Sequence, residues 1–293
     1  MKQRDRQERE RASSKVDVLN EALPWIHRMA GKTFVIKYGG SAMENPELCR
    51  QVVADIEMLK LLGIRIVLVH GGGKAISAHV KALGLPVTFK GGLRVTDDAT
   101  MEAVREVLVG KVNQDLVWAL NEYGHNAVGI SGADGKTLKA EQIDPELGRV
   151  GRIREVDPSL IETILEDGYI PVVATVGCAP DGFFNINADV AAGKIAEAMG
   201  ADKLIYLTDV DGLYGDVADE DSLIQSLTRS ETHELLDSGT LDGGMLPKIR
   251  SIAEALDAGV SEVVILNGTF PHSLLLEIFT DAGCGTMFTQ DNA

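Results

Sequence analysis

Twice within its first 75 residues the chain runs an apolar segment into glycines and then into a helical pattern. The first run is Phe34-Val35-Ile36-Lys37-Tyr38-Gly39-Gly40, followed by a helical stretch from Pro46 to Leu62. The second is Ile66-Val67-Leu68-Val69-His70-Gly71-Gly72-Gly73, followed by Lys74 to Leu83. Strand, glycine turn and helix in that order restrict the fold, because such units stack as parallel strands with helical crossovers. The turns also suggest chemistry. Glycine lets backbone N–H groups converge on an anion with no side chain in the way. A helix N-terminus behind them adds partial positive charge. With Lys37 inside the first turn, the pair reads as a grip on phosphate.

Two familiar phosphate motifs do not fit. A Walker loop needs G-x-x-x-x-G-K-[ST], but Gly73-Lys74 is followed by Ala75, and Leu68 takes the place of the first glycine. Neither strand leads into G-x-G-x-x-G, which argues against a dinucleotide-dependent dehydrogenase.

The rest of the chain alternates in the same style. Ala127–Ile130, Ile170–Val176, Leu204–Leu207, Val263–Leu266 and Thr286–Phe288 read as strands. Asp97 or Asp98 caps a helix from Ala99 to about Val109, continued by Lys111–Glu122. Further helices open at Asp157-Pro158 and at Asn187-Ala188-Asp189, and span Pro247–Asp257 and Pro271–Phe279. The Gly/Asp-rich stretch Ser131–Gly151 suggests hairpins. Val16–Ala30 reads as a helix with Leu19, Leu23, Ile26 and Met29 on one face and a bend at Pro24. It either packs on its own core or reaches to another subunit. The charged residues before it are expected to be disordered. Together these features imply an α/β protein with a mainly parallel sheet. The expected division is an arm over 1–30, one lobe over 31–180 and a second over 181–293.

Composition narrows the class. A formal net charge of -16 argues against nucleic-acid binding, and it requires an anion site to gather its cations locally. Cys49, Cys178 and Cys284 are odd in number and far apart, without metal-ligand spacing. That fits reduced thiols in a cytoplasmic protein. No apolar run reaches membrane-spanning length, and the charged N-terminus has no signal-peptide core.

Four residues stand out for charge chemistry. Lys37 ends a strand, where α/β proteins bind ligands. Lys248 lies at a helix start behind Gly243 and Gly244, a place that ordinarily favours acids; it is a phosphate ligand or a solvated surface lysine. Asp189, also at a helix start, either caps that helix or holds two lysines by charge-assisted hydrogen bonds. Arg94, in Gly91-Gly92-Leu93-Arg94, offers a planar guanidinium suited to a carboxylate.

The strings KYGG, HGGG, KGGLRVTD, GYIPVVATVG, NINAD, LTDVDGLYGD and GGMLPK occur in this order. As a set they resemble the acetylglutamate branch of the amino acid kinase family, over nearly the whole chain from Val16. The resemblance implies a three-layer α/β/α sandwich. It implies that ATP, with Mg²⁺, phosphorylates the side-chain carboxylate of N-acetyl-L-glutamate, the second step of arginine biosynthesis. Lys37 and Lys248 would stabilise the phosphoryl group and Asp189 would orient them. Gly72 and Gly73 would contact phosphate and substrate, and Arg94 and Asn185 would hold the acetylglutamate. Gly39, Gly40, Thr208, Asp209, Asp211, Gly212, Gly244 and Met245 would line the nucleotide site. One departure is Lys74, where many relatives have proline.

The C-terminal stretch from His272 to Gly283, followed by Gly285-Thr286-Met287, resembles the arginine-inhibited subgroup, which forms hexamers, trimers of dimers, by interlacing an N-terminal helix. His272, Glu277 and Gly283 would bind arginine, and a PII-type signal protein is a candidate partner. Two other readings stand beside this one: a sister kinase acting on a longer acetylamino dicarboxylate, and a catalytically silent arginine-sensing hexamer.

Overall fold

Alternation along the strands builds two cores. In Thr33–Tyr38, residues Phe34, Ile36 and Tyr38 enter one core and Val35 the other, all fully buried. Arg65–His70 repeats the pattern, with Ile66 and Leu68 on the first side and Val67 and Val69 on the second. A strand apolar on both faces belongs in the middle layer of three. The computed structural model describes residues 16, 20–43, 45–124, 126–216, 219–241, 245–280 and 283–291.

Eight strands form one continuous sheet, in the order Ser226–Thr228, Thr286–Thr289, Glu262–Asn267, Lys203–Thr208, Thr33–Tyr38, Arg65–His70, Ile170–Ala174, Ala127–Ser131. Pairing is parallel except where Thr286–Thr289 runs against Glu262–Asn267. Helices Pro46–Leu61, Gly73–Ala82 and Ser273–Phe279 pack into the first core. Helices Ser159–Glu166, Ala188–Met199 and Met245–Asp257 pack into the second. The fold is therefore the expected α/β/α sandwich. Parallel register sets Tyr38 beside His70 and Leu207, and Thr208 beside Asn267. The C-terminal ends of the strands thus share one edge, where ligands bind in open α/β sheets.

Several elements differ from expectation. Ile170–Val176 is not one strand: Ile170–Ala174 stays in the central sheet, and Val176–Ala179 joins Leu138–Gln142, Val150–Val156 and Gly182–Ile186 in a closed four-stranded group. The break falls at Thr175, whose carbonyl accepts from Ile186 N at 3.1 Å. Gly151 lets this group close, since a Cβ there would sit 2.6 Å from Phe184 Cβ. The two helices expected between Ala99 and Glu122 are one helical run. Asp98–Arg105 and Gln114–Tyr123 are joined by a π-helical stretch, Glu106–Asn113, and Asp97 caps the start by accepting from Thr100 N at 2.7 Å. Helix Arg229–Asp237 lies outside the expected elements, although Thr228 and Glu231 form the capping box that marks its start.

Residues 20–29 are helical. Met29 is buried in the first core, while Leu23 stays 46% exposed. Leu19 and the charged segment before Val16 lie outside the described residues. Among the described residues, no helix is long and apolar enough to cross a membrane.

Candidate active site

The centre of the site is one carboxylate shared by two lysines. Asn187 caps helix Ala188–Met199 by accepting from Asp189 N and Val190 N at 2.9 and 3.1 Å, which places Asp189 in the first turn. Lys37 Nζ lies 3.0 Å from Asp189 Oδ1, and Lys248 Nζ donates to Oδ2 at 2.6 Å. Their side chains are 13% and 10% exposed, against 20% for Asp189. Burial alone would raise the Asp189 carboxyl, but the two ammonium groups outweigh it and hold its pKa at about 2. Lys248 is pushed down by burial, and Lys37 adds to that, while Asp189 pulls it back up. Lys248 is therefore a buried, charge-paired lysine and not a solvated surface residue. Two cations on one anion leave a net positive site that suits phosphate.

Tyr206 supports the group from the second core. Its hydroxyl donates to Asp189 O at 3.2 Å, and Lys248 Nζ sits 5.0 Å from the centre of its ring. Tyr206 stands in register with Lys37 on the neighbouring strand. Its place was legible only as an apolar strand position.

At the first glycine turn, a Cβ on Gly39 would lie 2.7 Å from Lys37 Nζ, so glycine leaves the lysine room to fold over the turn. Gly40 has φ +80, and a Cβ there would overlap Asp209 Oδ1. Asp209 braces this turn, accepting from Ser41 N and Ser41 Oγ at 2.7 and 2.8 Å. Asp211 is tied to Asn267 Nδ2 at 2.8 Å and to the Tyr214 hydroxyl at 2.9 Å. These three residues and Phe270 line a cavity of about 410 Å³. Thr208 Oγ1 accepts from Val210 N at 3.0 Å, which shapes the loop, and Gly212 is buried against Thr286. Met245 opens helix Met245–Asp257, the helix that carries Lys248. Gly244 lies outside the described residues.

Arg94 and Asn185 meet at a second cavity, of about 180 Å³, together with Gly71, Gly72 and Gly73. Arg94 Nη2 donates to Gly73 O at 2.7 Å and Ser77 Oγ at 2.8 Å, and the guanidinium lies 4.8 Å from the centre of the Phe89 ring. Its Nη1 is buried and has no hydrogen-bond partner among the described residues. A buried donor of this kind costs free energy until something accepts from it, and a carboxylate oxygen is a suitable acceptor for a guanidinium N–H. Asn185 Nδ2 donates to Thr96 Oγ1 at 3.2 Å. Ser77 and Phe89 had no signal in the sequence beyond their nearness to the glycine loops.

A third cavity, of about 400 Å³, separates helix 20–29 from the C-terminal strands. Trp25, Arg28, Lys203, Glu277 and Gly283 line it. Glu277 is 5% exposed and accepts from Cys284 N at 2.9 Å; burial raises its carboxyl. His272 does not line this cavity. Its Nδ1 lies 2.7 Å from Asp55 Oδ1, because Asp55, at 2% exposure in helix Pro46–Leu61, needs a partner.

The profile of the amino acid kinase family matches residues 32–267. An acetylglutamate kinase of Brachyspira hyodysenteriae is 49% identical over 277 residues, covering 94% of this chain and 96% of the relative. One from Caldanaerobacter subterraneus subsp. tengcongensis is 50% identical over 280 residues, covering 94% of each. Among solved structures, N-acetylglutamate synthase from Neisseria gonorrhoeae, complexed with coenzyme A and N-acetyl-glutamate, superposes over 94% of this chain with TM-score 0.82 and 30% identity. The chain spans 63% of the length of that synthase. Carbamate kinase from Giardia lamblia, at TM-score 0.66 and 19% identity over 90% of this chain and 100% of its own, shares the fold. The chain belongs to the amino acid kinase family, among the acetylglutamate kinases.

Proposed function

We propose that the protein transfers the γ-phosphoryl group of ATP to the side-chain carboxylate of N-acetyl-L-glutamate, forming N-acetyl-L-glutamyl 5-phosphate in arginine biosynthesis. The observation that carries this reading is Lys37, at a strand end, and Lys248, in helix Met245–Asp257, held on Asp189, with Gly39 against Lys37 and Gly71 against Ala188. A carboxylate is already ionised at neutral pH, so the attack needs no general base. It needs alignment and compensation of the charge that develops on the transferring oxygens. The two ammonium groups and the backbone donors of Gly72 and Gly73 supply that compensation. Arg94 Nη1 and Asn185 hold the α-carboxylate and acetamido end of the acceptor. Mg²⁺ would enter on ATP and offset charge between its phosphates. In this reading residues 31–180 bind acetylglutamate and form the dimer contact, and residues 181–293 bind ATP, with Asn185 reaching across.

A longer acetylamino dicarboxylate differs from acetylglutamate by one methylene, worth only about 1–3 kcal/mol of discrimination. Coupled measurement of ADP release separates the candidates. Turnover with acetylglutamate well above that with acetylaminoadipate is expected; the reverse preference would reassign the substrate, and no turnover with either would leave a silent arginine sensor.

We further infer that L-arginine is a feedback inhibitor bound in the cavity of Glu277 and Gly283. A buried carboxylate suits a guanidinium, and the helix 20–29 forms the opposite wall. The N. gonorrhoeae synthase has also been solved with coenzyme A and L-arginine, at TM-score 0.78 and 28% identity over 94% of this chain and 65% of its own. His272 would act from outside this cavity. The exposed Leu23 supports pairing of that helix between subunits in a hexameric trimer of dimers. An arginine titration of the same assay is expected to show inhibition. A PII-type signal protein remains a candidate partner, tested by co-sedimentation.

A further inference from the structure

Asn113 ends the π-helical stretch and is 1% exposed. A π turn closes over five residues instead of four and recurs at functional sites. From this stretch Leu108 and Val112 face Gly72, and Asn113 faces His70, the residue before the second glycine turn. A Cβ on Gly72 would lie 2.8 Å from Leu108 Cδ2 and 3.3 Å from Val112 Cγ2. The strand beyond leaves Asn113 room, because a Cβ on Gly129 would overlap Asn113 Oδ1.

The hydrogen bonds around Asn113 fix a chain of directions. Its Nδ2 lies 2.8 Å from Val172 O and 3.0 Å from His70 Nε2, with Ile130 O farther off at 3.5 Å. A carbonyl oxygen only accepts, so the atom facing Val172 must be the amide nitrogen. Its second hydrogen meets His70 Nε2, which must therefore accept. The proton of the neutral imidazole then sits on Nδ1, which donates to Gly71 O at 2.9 Å. His70 has no exposed surface, and burial drives its pKa to about 4, so the ring is neutral at physiological pH.

This bond turns the Gly71 carbonyl toward His70. In a planar trans peptide, the C=O of one residue and the N–H of the next point in opposite directions, and the chain has no cis peptide among its described residues. The Gly72 N–H therefore points away from the buried ring; Gly72 borders the cleft of Arg94 and Asn185 and also a neighbouring cavity lined by Gly40 of the first glycine turn. No hydrogen bond from that N–H occurs among the described residues.

We propose that Asn113 and His70 are positioning residues: their hydrogen-bond relay orients the Gly71–Gly72 peptide so that the Gly72 N–H is aimed at the transferring phosphoryl group. The inference rests on the kinase reading above. Preorganised donors lower a barrier only when their direction is set before reaction, and this relay sets it from a rigid core.

Two substitutions of one residue test the relay. The amide of asparagine occupies the place of His Nδ1, and that of glutamine the place of Nε2. His70→Asn keeps a donor for Gly71 O and is expected to retain most of kcat. His70→Gln, closer in volume, cannot reach Gly71 and is expected to lose about 10²-fold in kcat, with both KM values within about twofold. Asn113→Leu keeps the volume, frees the imidazole tautomer, and should behave like His70→Gln. Thermal unfolding of each variant is followed in parallel. Equal kcat for His70→Asn and His70→Gln in folded proteins would overturn the proposal, as would wild-type kcat in Asn113→Leu.

Side-chain ¹⁵N spectra of histidine-labelled protein read the tautomer without any turnover. The His70 signals, assigned by their loss in His70→Asn, should show Nδ1 protonated in the wild type and a shifted tautomer in Asn113→Leu. An Nε2-protonated wild type would sink the relay whatever the activity. A wild type that does not turn over acetylglutamate but keeps the Nδ1 tautomer would instead remove the kinase reading, and with it the target assigned to the Gly72 N–H.

Discussion

Lys248 donates to Asp189 at 2.6 Å across 59 residues of chain, and both side chains are largely buried. Lys37 meets the same carboxylate at 3.0 Å from the C-terminal end of strand Thr33–Tyr38. This grouping is the physical content of the site. It leaves one positive charge uncompensated beside two turns rich in backbone donors.

Replacing either lysine should remove that surplus. Lys37→Ala and Lys248→Ala are each expected to lower kcat by at least ~10²-fold, the typical cost of losing one preorganised charge-stabilising group. Steady-state kinetics with circular dichroism as a fold control check this. Near-normal turnover in either folded variant would remove that lysine from the mechanism.

The pairing also sets a pH limit. Burial and Lys37 push Lys248 down, and Asp189 opposes them. Asp189→Asn removes the opposing charge, so the Lys248 pKa falls further. The ammonium form is then lost earlier as pH rises. The alkaline limb of the kcat profile should move to lower pH in Asp189→Asn than in the wild type. An unmoved limb would mean that Lys248 does not have to be charged in the reaction.

Arg94 already commits Nη2 to Gly73 and Ser77, and its Nη1 has no partner among the described residues. Lysine keeps the charge but loses the fork. Arg94→Lys should therefore raise KM for acetylglutamate by about 10-fold or more, since a charged hydrogen bond is worth ~1.5–3 kcal/mol, and leave KM for ATP nearly unchanged. An equal rise in both would assign Arg94 to scaffolding.

Leu23 offers a test of assembly that leaves the core intact. It is 46% exposed, while Met29 on the same helix is 7% exposed. Leu23→Asp puts a charge where a second copy of the helix would pack, and burying it unpaired is costly. Light scattering should show a smaller assembly, and arginine titration a weaker response. An unchanged assembly size with unchanged inhibition would place any subunit contact elsewhere.

Local patterns carried the fold. The alternation of Phe34, Ile36 and Tyr38 against Val35, and of Ile66 and Leu68 against Val67 and Val69, is written in consecutive residues, because a strand presents its faces with a period of two. Caps are equally local: Asn187 and Asp97 act on N–H groups two or three residues away. The same applies to the glycine turns, whose backbone needs are visible in their own residues. The seven ordered motifs carry Lys37, Asp189 and Lys248 as members of one proposed site.

Tertiary structure decided whatever depends on which distant segments become neighbours. The sequence holds no mark that His272 faces Asp55 and turns away from the Glu277 cavity, because the two are 217 residues apart and their pairing follows from helix packing. The split of Ile170–Val176 at Thr175 follows from Ile186 N competing for one carbonyl. The π-helical stretch is likewise not written in Glu106–Asn113 alone. Asn113 reaches Val172 and His70 only because the parallel sheet sets their strands side by side, and the direction of the Gly72 N–H is inherited from those contacts. Periodicity and turn chemistry are properties of adjacent residues, whereas the aim of a donor is a property of everything packed against it.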